Sequence, residues 1–254
     1  MIGIFDSGVG GLTVVKEIKK ILPDVSIIYF GDTARLPYGN KSQETIQKYS
    51  AEIVEFLKKR GCKTIVIACN TASALAAQHL RKKYPDLKIY DVVSTGAEAA
   101  AEATKKKKVG VIGTSATINS GVYKEKISKI NPDIKIFSQA CPLFVHLAEE
   151  NWINRPETRK IARTYLRQIK LEKVDALLLG CTHYPLLEKT IASVMGKRAK
   201  IVSSGKKLAE NLKKEEVGYA KEEDKYFVSD LTEHFHTLAR RILGKKINIK
   251  KIEI

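Results

Sequence analysis

TIVIACNTASALAAQHL, residues 64–80, has a counterpart in ALLLGCTHYPLL, residues 176–187. Each begins as a short apolar run, rich in β-branched residues or leucine, of the kind that forms a strand buried on both faces of a parallel sheet. Each run stops at a cysteine, Cys69 or Cys181, followed at once by hydrogen-bonding residues: Asn70 and Thr71 in one case, Thr182 and His183 in the other. A helix is expected after each cysteine, and the spacing in ASALAAQHLRKKY supports it for the first. The chain therefore builds a strand–cysteine–helix unit twice.

Working outward, IGIF, VSIIYFGD, TIVIACN and KIYDVV read as one series of buried strands, with LTVVKEIKKIL, SQETIQKYSAEIVEFLKKRG and ASALAAQHLRKKY as amphipathic helices between them. A second series, KKVGVIGT, DIKIFSQA, VDALLLGCT and AKIVSS, repeats the order. IGIFDSGVGG answers VGVIGTSATINSG, as the first cysteine loop answers the second. The expected fold class is α/β: two pseudo-symmetric domains with largely parallel sheets and a site in the cleft between them. The first is assigned residues 1–92 with 208–254 and carries Asp6, Ser7 and Cys69; the second, 93–207, carries Thr114 and Cys181. Binding residues in such sheets gather at the carboxyl ends of the strands, where all these loops fall.

Composition narrows the function. At 254 residues the chain can bury a large core without disulfides. No run of about eighteen apolar residues is present to span a membrane, and MIGIFDSGVGG lacks the basic start of a signal peptide, so a cytoplasmic protein is expected. The net charge of +17 raises the question of a nucleic-acid partner. The lysines, however, are spread along helix surfaces and not interleaved with aromatics as a single-strand platform requires, so none is expected.

Of four cysteines, Cys62 and Cys141 read as small buried hydrophobes. Cys69 and Cys181 precede expected helix starts, where free N–H groups and the positive helix end lower a thiol pKa. A zinc site is disfavoured, because only Cys181 and His183 approach ligand spacing. His234 and His236 read as a helix-surface pair. FDSGVGG, residues 5–11, matches neither GxGxxG nor a P-loop, so no nucleotide is implied. It does place Asp6 at a strand end, as a turn residue or as a carboxylate that assists a thiol or holds an ammonium group. Pro37–Gly39 forms a turn whose N–H groups suit a carboxylate.

Six segments in order, GIFDSGVGGLTV, GDTARLPYG, ACNTASA, GTSATINSGVY, ACPLF and GCTHYPLL, resemble the glutamate racemases of the cofactor-independent aspartate/glutamate racemase superfamily. The resemblance runs from the first strand to Leu187 and more faintly through the tail. It implies that Cys69 and Cys181 are the two acid/base residues. Asp6, Ser7, Tyr38, Gly39, Asn70, Thr71, Thr182 and His183 fall on glutamate-binding positions, joined by Thr114 and Thr117. Asp6 and His183 also match residues that assist the thiols, as does one of Glu149 and Glu150, of which Glu150 is taken here. Departures occur at His146, Asn151 and Ser203, where proline, glycine and aspartate are common.

The activity so implied is interconversion of L- and D-glutamate in the cytoplasm, supplying D-glutamate for peptidoglycan. It needs no cofactor and no metal, takes only a small-molecule substrate, and leaves room for a homodimer. Two thiols on opposite faces of the α-carbon meet the geometric demand that one base cannot. Alternatives are an aspartate racemase of the same superfamily, or a cysteine hydrolase with one nucleophile activated by His183.

Overall fold

The structure is a computed structural model that describes residues 1–215 and 222–254. Residues 216–221, within the tail assigned above to the first domain, lie outside the described residues. Two all-parallel sheets organise the chain. The first contains β1 (Ile2–Asp6), β2 (Ile27–Gly31), β3 (Thr64–Ile67), β4 (Lys88–Asp91), β9 (Lys225–Val228) and β10 (Ile249–Lys251), in the order β10-β9-β2-β1-β3-β4. The second contains β5 (Lys108–Gly113), β6 (Lys135–Ala140), β7 (Ala176–Gly180) and β8 (Lys200–Ser203), in the order β6-β5-β7-β8. Aligning β2-β1-β3-β4 with β6-β5-β7-β8 matches the strand before each cysteine, β3 to β7, and gives the repeat read in the sequence its structural form.

The central strands have no polar face, because helices cover both sides of the sheet. All five residues of β1 are buried, as are those of β2 and β7. Each fully buried Ile, Leu or Phe side chain contributes about 1.5–3 kcal/mol relative to exposure. α1 (Leu12–Ile21) buries Leu12, Val14, Val15 and Ile18 on one side of the first sheet. α2 (Gln43–Lys58) and α3 (Asn70–Lys83) cover the other, around Phe5, Phe30 and Ile65.

The chain passes to the second sheet between β4 and α4 (Val92–Ala103). Val92 and Val93, read above as the end of a strand, instead open this helix. The Asp91 carboxylate accepts a 2.7 Å hydrogen bond from the Ser94 N–H, and this cap outweighs the strand preference of two valines. α5 (Ser115–Asn119), α6 (Val122–Ile130), α7 (Leu143–Glu149), α8 (Pro156–Leu171) and α9 (Glu188–Met195) complete the second half.

The return runs through α10 (Ser204–Lys214), so the expected joint between residues 207 and 208 lies inside one helix. Leu208, Ala209 and Leu212 join the core beneath α1. On the side of α4, the Ser204 carbonyl accepts from Thr95 Oγ1 and Asn211 donates to Glu98. α11 (Glu233–Leu243) then packs on α1. Among the described residues no helix is long and apolar enough to cross a membrane.

Candidate active site

β1 delivers Asp6 at its carboxyl end, fully buried. One carboxylate oxygen takes a 3.0 Å hydrogen bond from the Gly8 N–H, and the Thr182 hydroxyl, from the other half, lies 3.4 Å from the second. Burial raises the Asp6 pKa, while the charge of His183 and the Gly8 and Gly11 N–H groups pull against it. Beside Asp6, Cys69 caps the start of α3, and its sulfur lies 3.7 Å from Ser7 Oγ. The expectation of a lowered Cys69 pKa is overturned. Burial pushes the thiol up to about 12 and the Asp6 charge adds to it, outweighing the Ala72 N–H and the Ser7 hydroxyl. Charge on Cys181 raises it further.

On the opposite side, β7 leads into Cys181, which is also buried. A 3-10 turn, Tyr184–Leu187, separates Cys181 from α9, so this cysteine does not stand at an α-helix start as expected. Its partner is His183, whose Nδ1 lies 3.8 Å from the sulfur and whose Nε2 lies 3.0 Å from Glu149 Oε1. Burial disfavours a charged imidazole here, but the bonds to Cys181 and Glu149 prevail and raise the His183 pKa to about 10. Burial likewise works to raise the Glu149 pKa, and the bond to His183 outweighs it, keeping the carboxylate ionised. The choice of Glu150 is therefore corrected to Glu149. α7 ends at Glu149, successive helical side chains diverge by about 100°, and Glu150 is exposed with its N–H bonded to the His146 carbonyl.

Three hydroxyls join the halves. Thr71 Oγ1, at the start of α3, lies 3.1 Å from Thr114 and 3.4 Å from Thr117, which are themselves 3.0 Å apart. Gly39 faces the same group, since a Cβ there would lie 3.4 Å from the Thr114 side chain. Tyr38 is buried with its hydroxyl bonded to Asp32, so its phenol is already engaged within the first half. Asn70 is buried, its Oδ1 bonded to Tyr123 of the second half and its Nδ2 without a protein partner.

Other contacts at this joint were not singled out in the sequence. Thr13 donates to the Thr182 carbonyl at 3.0 Å. Gly10 presses its backbone on the same loop: a Cβ there would lie 2.5 Å from Thr182 Oγ1 and 2.7 Å from the His183 ring. The glycine-rich loop thus serves close approach, a signal present in FDSGVGG but not specific to it. Among the described residues no cluster of three or more His, Cys, Asp or Glu side chains is arranged for a metal ion.

The arrangement presents one buried thiol from each sheet, each with a polar partner, together with one buried amide group, Asn70 Nδ2, that has no protein partner and a cluster of three threonine hydroxyls. A sequence model of the Asp/Glu/Hydantoin racemase family matches residues 2–211. The chain belongs to that family. A glutamate racemase of Geobacter metallireducens is 47% identical over 253 residues, 97% of this chain and 93% of the relative. The crystal structure of a Bacillus anthracis glutamate racemase isoform, RacE1, superposes with a TM-score of 0.95 at 36% identity, covering 100% of this chain and 97% of the other. The Francisella tularensis glutamate racemase, solved in complex with D-glutamate, gives 0.91 at 36% identity, covering 99% and 97%. This racemase chain is thus similar to glutamate racemases over its full length.

Proposed function

We propose that the protein is a glutamate racemase that interconverts L- and D-glutamate without a cofactor, by proton transfer between the α-carbon and two cysteines. The observation that carries this reading is the pairing of Cys69 and Cys181, one from each sheet and both buried at the ends of matching strands. Inverting a tetrahedral centre requires proton removal from one face and proton delivery to the other. Cys181, with a cationic His183 against its sulfur, acts as the thiolate base toward one enantiomer. Cys69, kept protonated by burial and by Asp6, returns a proton to the opposite face, and the roles exchange in the reverse direction.

The sequence carries no motif for an electron-sink cofactor, so the carbanion must be stabilised electrostatically. The substrate ammonium is retained, Asn70, Thr71 and Thr182 donate to the α-carboxylate, and closure of the halves excludes water. The Gly39 turn with Thr114 and Thr117 receives the side-chain carboxylate, and the D-glutamate bound by the Francisella relative supports a site of that length. A single-nucleophile hydrolase leaves Cys69 and Asp6 without a task. Working in the cytoplasm, the enzyme supplies D-glutamate for peptidoglycan.

The test is circular dichroism of L-glutamate and, separately, D-glutamate incubated with the purified protein alone. Both signals should decay to zero, and Cys69→Ala or Cys181→Ala should each stop the decay. Decay that survives either substitution rules out the two-thiol mechanism. If glutamate is inert while aspartate racemises, the substrate assignment is wrong.

A further inference from the structure

Asn70 has a buried amide whose two ends are treated differently. Its Oδ1 accepts a 2.6 Å hydrogen bond from the Tyr123 hydroxyl, whereas its Nδ2 is buried with no partner in the protein. Asn70 is the first residue of α3 in the first half, directly after Cys69; Tyr123 belongs to α6 in the second. The phenol has little freedom. It is 2% exposed, and a Cβ at Gly180 would lie 3.0 Å from its ring and one at Gly96 3.1 Å from its hydroxyl, so the ring sits on two bare backbones. Burial also raises its pKa well above the usual tyrosine value, keeping the hydroxyl protonated and able to donate.

A side-chain amide is nearly symmetric in shape but not in charge. Turned one way it offers two N–H donors, and turned the other it offers an oxygen that repels a carboxylate. A buried N–H pair without a partner is costly unless a ligand supplies an acceptor, and a carboxylate is the acceptor whose charge strengthens the bond. We propose that Tyr123 is a positioning residue: its hydroxyl fixes the Asn70 amide so that Nδ2 faces a substrate carboxylate, making carboxylate binding depend on contact between the two halves. This rests on the reading that an amino acid binds between them. Neither half alone would then have a competent Asn70, since one owns the amide and the other the group that orients it.

The experiment is a double-mutant cycle in the full chain with Tyr123→Phe and Asn70→Ala, which tracks KM and kcat for both enantiomers and D-glutamate binding by calorimetry at millimolar ligand. Phenylalanine keeps the ring on Gly96 and Gly180, so melting temperature should change little. Tyr123→Phe should raise Kd by about 5- to 10-fold for both enantiomers, the size expected for one hydrogen bond, and should lower kcat/KM by at least that factor, because the α-carboxylate held by Asn70 gains charge in the carbanion. In the Asn70→Ala background the same substitution should add nothing, because a residue acting through another has no effect once that other is gone. An equal loss in both backgrounds, or a lowered melting temperature with Kd unchanged, overturns the proposal. Wild-type protein that binds no glutamate overturns the functional reading and this inference with it; wild-type binding that Tyr123→Phe leaves unchanged overturns this inference alone.

Discussion

The charge on His183 is held by Cys181 on one side of the ring and by the Glu149 carboxylate on the other. Burial alone would leave the imidazole neutral, yet contact with Cys181 and Glu149 raises its pKa to about 10. Glu149→Gln keeps the shape and removes the charge, so the His183 pKa should fall back toward the ordinary value of about 6.5. Because the folded-state pKa is raised, the protonated imidazole contributes stability fully below about pH 6.5, and that contribution is lost as pH rises through about 10. In the variant the loss should finish at lower pH, and racemisation should weaken first between about pH 7 and 10. NMR titration of the His183 ring protons reads the shift directly; an unmoved titration midpoint would show that Glu149 is not the controlling charge. That Glu149 and not Glu150 holds this place is hidden in the sequence. Two adjacent glutamates at a helix end differ only in azimuth, and the azimuth is fixed by packing of Phe144 and Leu147, not by the pair itself. The raised Cys69 pKa is hidden for a related reason: a helix start is visible in a sequence, but burial beside Asp6 is not.

At the scale of elements, the apolar runs mark the central strands because parallel strands buried on both faces must be apolar throughout. What escapes are features set by single polar contacts or by short length, such as the Asp91 cap that turns Val92 and Val93 into helix, and the three-residue edge strand β10. The segment after α7 illustrates a departure that keeps its geometry. Asn151, where the family resemblance leads glycine to be expected, has φ +58°, the left-handed region that asparagine tolerates better than other residues with a Cβ. The turn it makes lets the Trp152 N–H bond the Leu147 carbonyl at 2.9 Å just past Glu149. Asn151→Ala should therefore destabilise the protein by about 1 kcal/mol, while Asn151→Gly should be neutral or slightly stabilising. Urea unfolding of the two variants checks the order, and an alanine variant as stable as the glycine one would mean that the turn relaxes without strain.

For the whole molecule, the repeat of strand order explains why the two cysteine loops can be placed from sequence before the fold is known: matching strands end in matching positions, and loops gather at the carboxyl ends of parallel strands. The connection that makes two halves one molecule is less legible, because α10 looks like any amphipathic helix until both of its faces are seen to be occupied. Leu208, Ala209 and Leu212 lie in the core of the first half, while Ser204 and Asn211 bond to Thr95 and Glu98 on α4 of the second. Thr13 and Gly10 lock the same two halves at the cysteine loop. With ties at both places, the halves should unfold together. Leu208→Ala, which empties a fully buried site, should cost about 2–5 kcal/mol and move a single transition to lower denaturant. Fluorescence of Trp152, in the second half, and far-UV circular dichroism, which averages over both, should report the same midpoint. If the tryptophan midpoint stays at the wild-type value while the circular dichroism splits into two steps, α10 belongs to the first half alone, and the cleft is held closed only by contacts around Thr13, Thr182 and the threonine cluster.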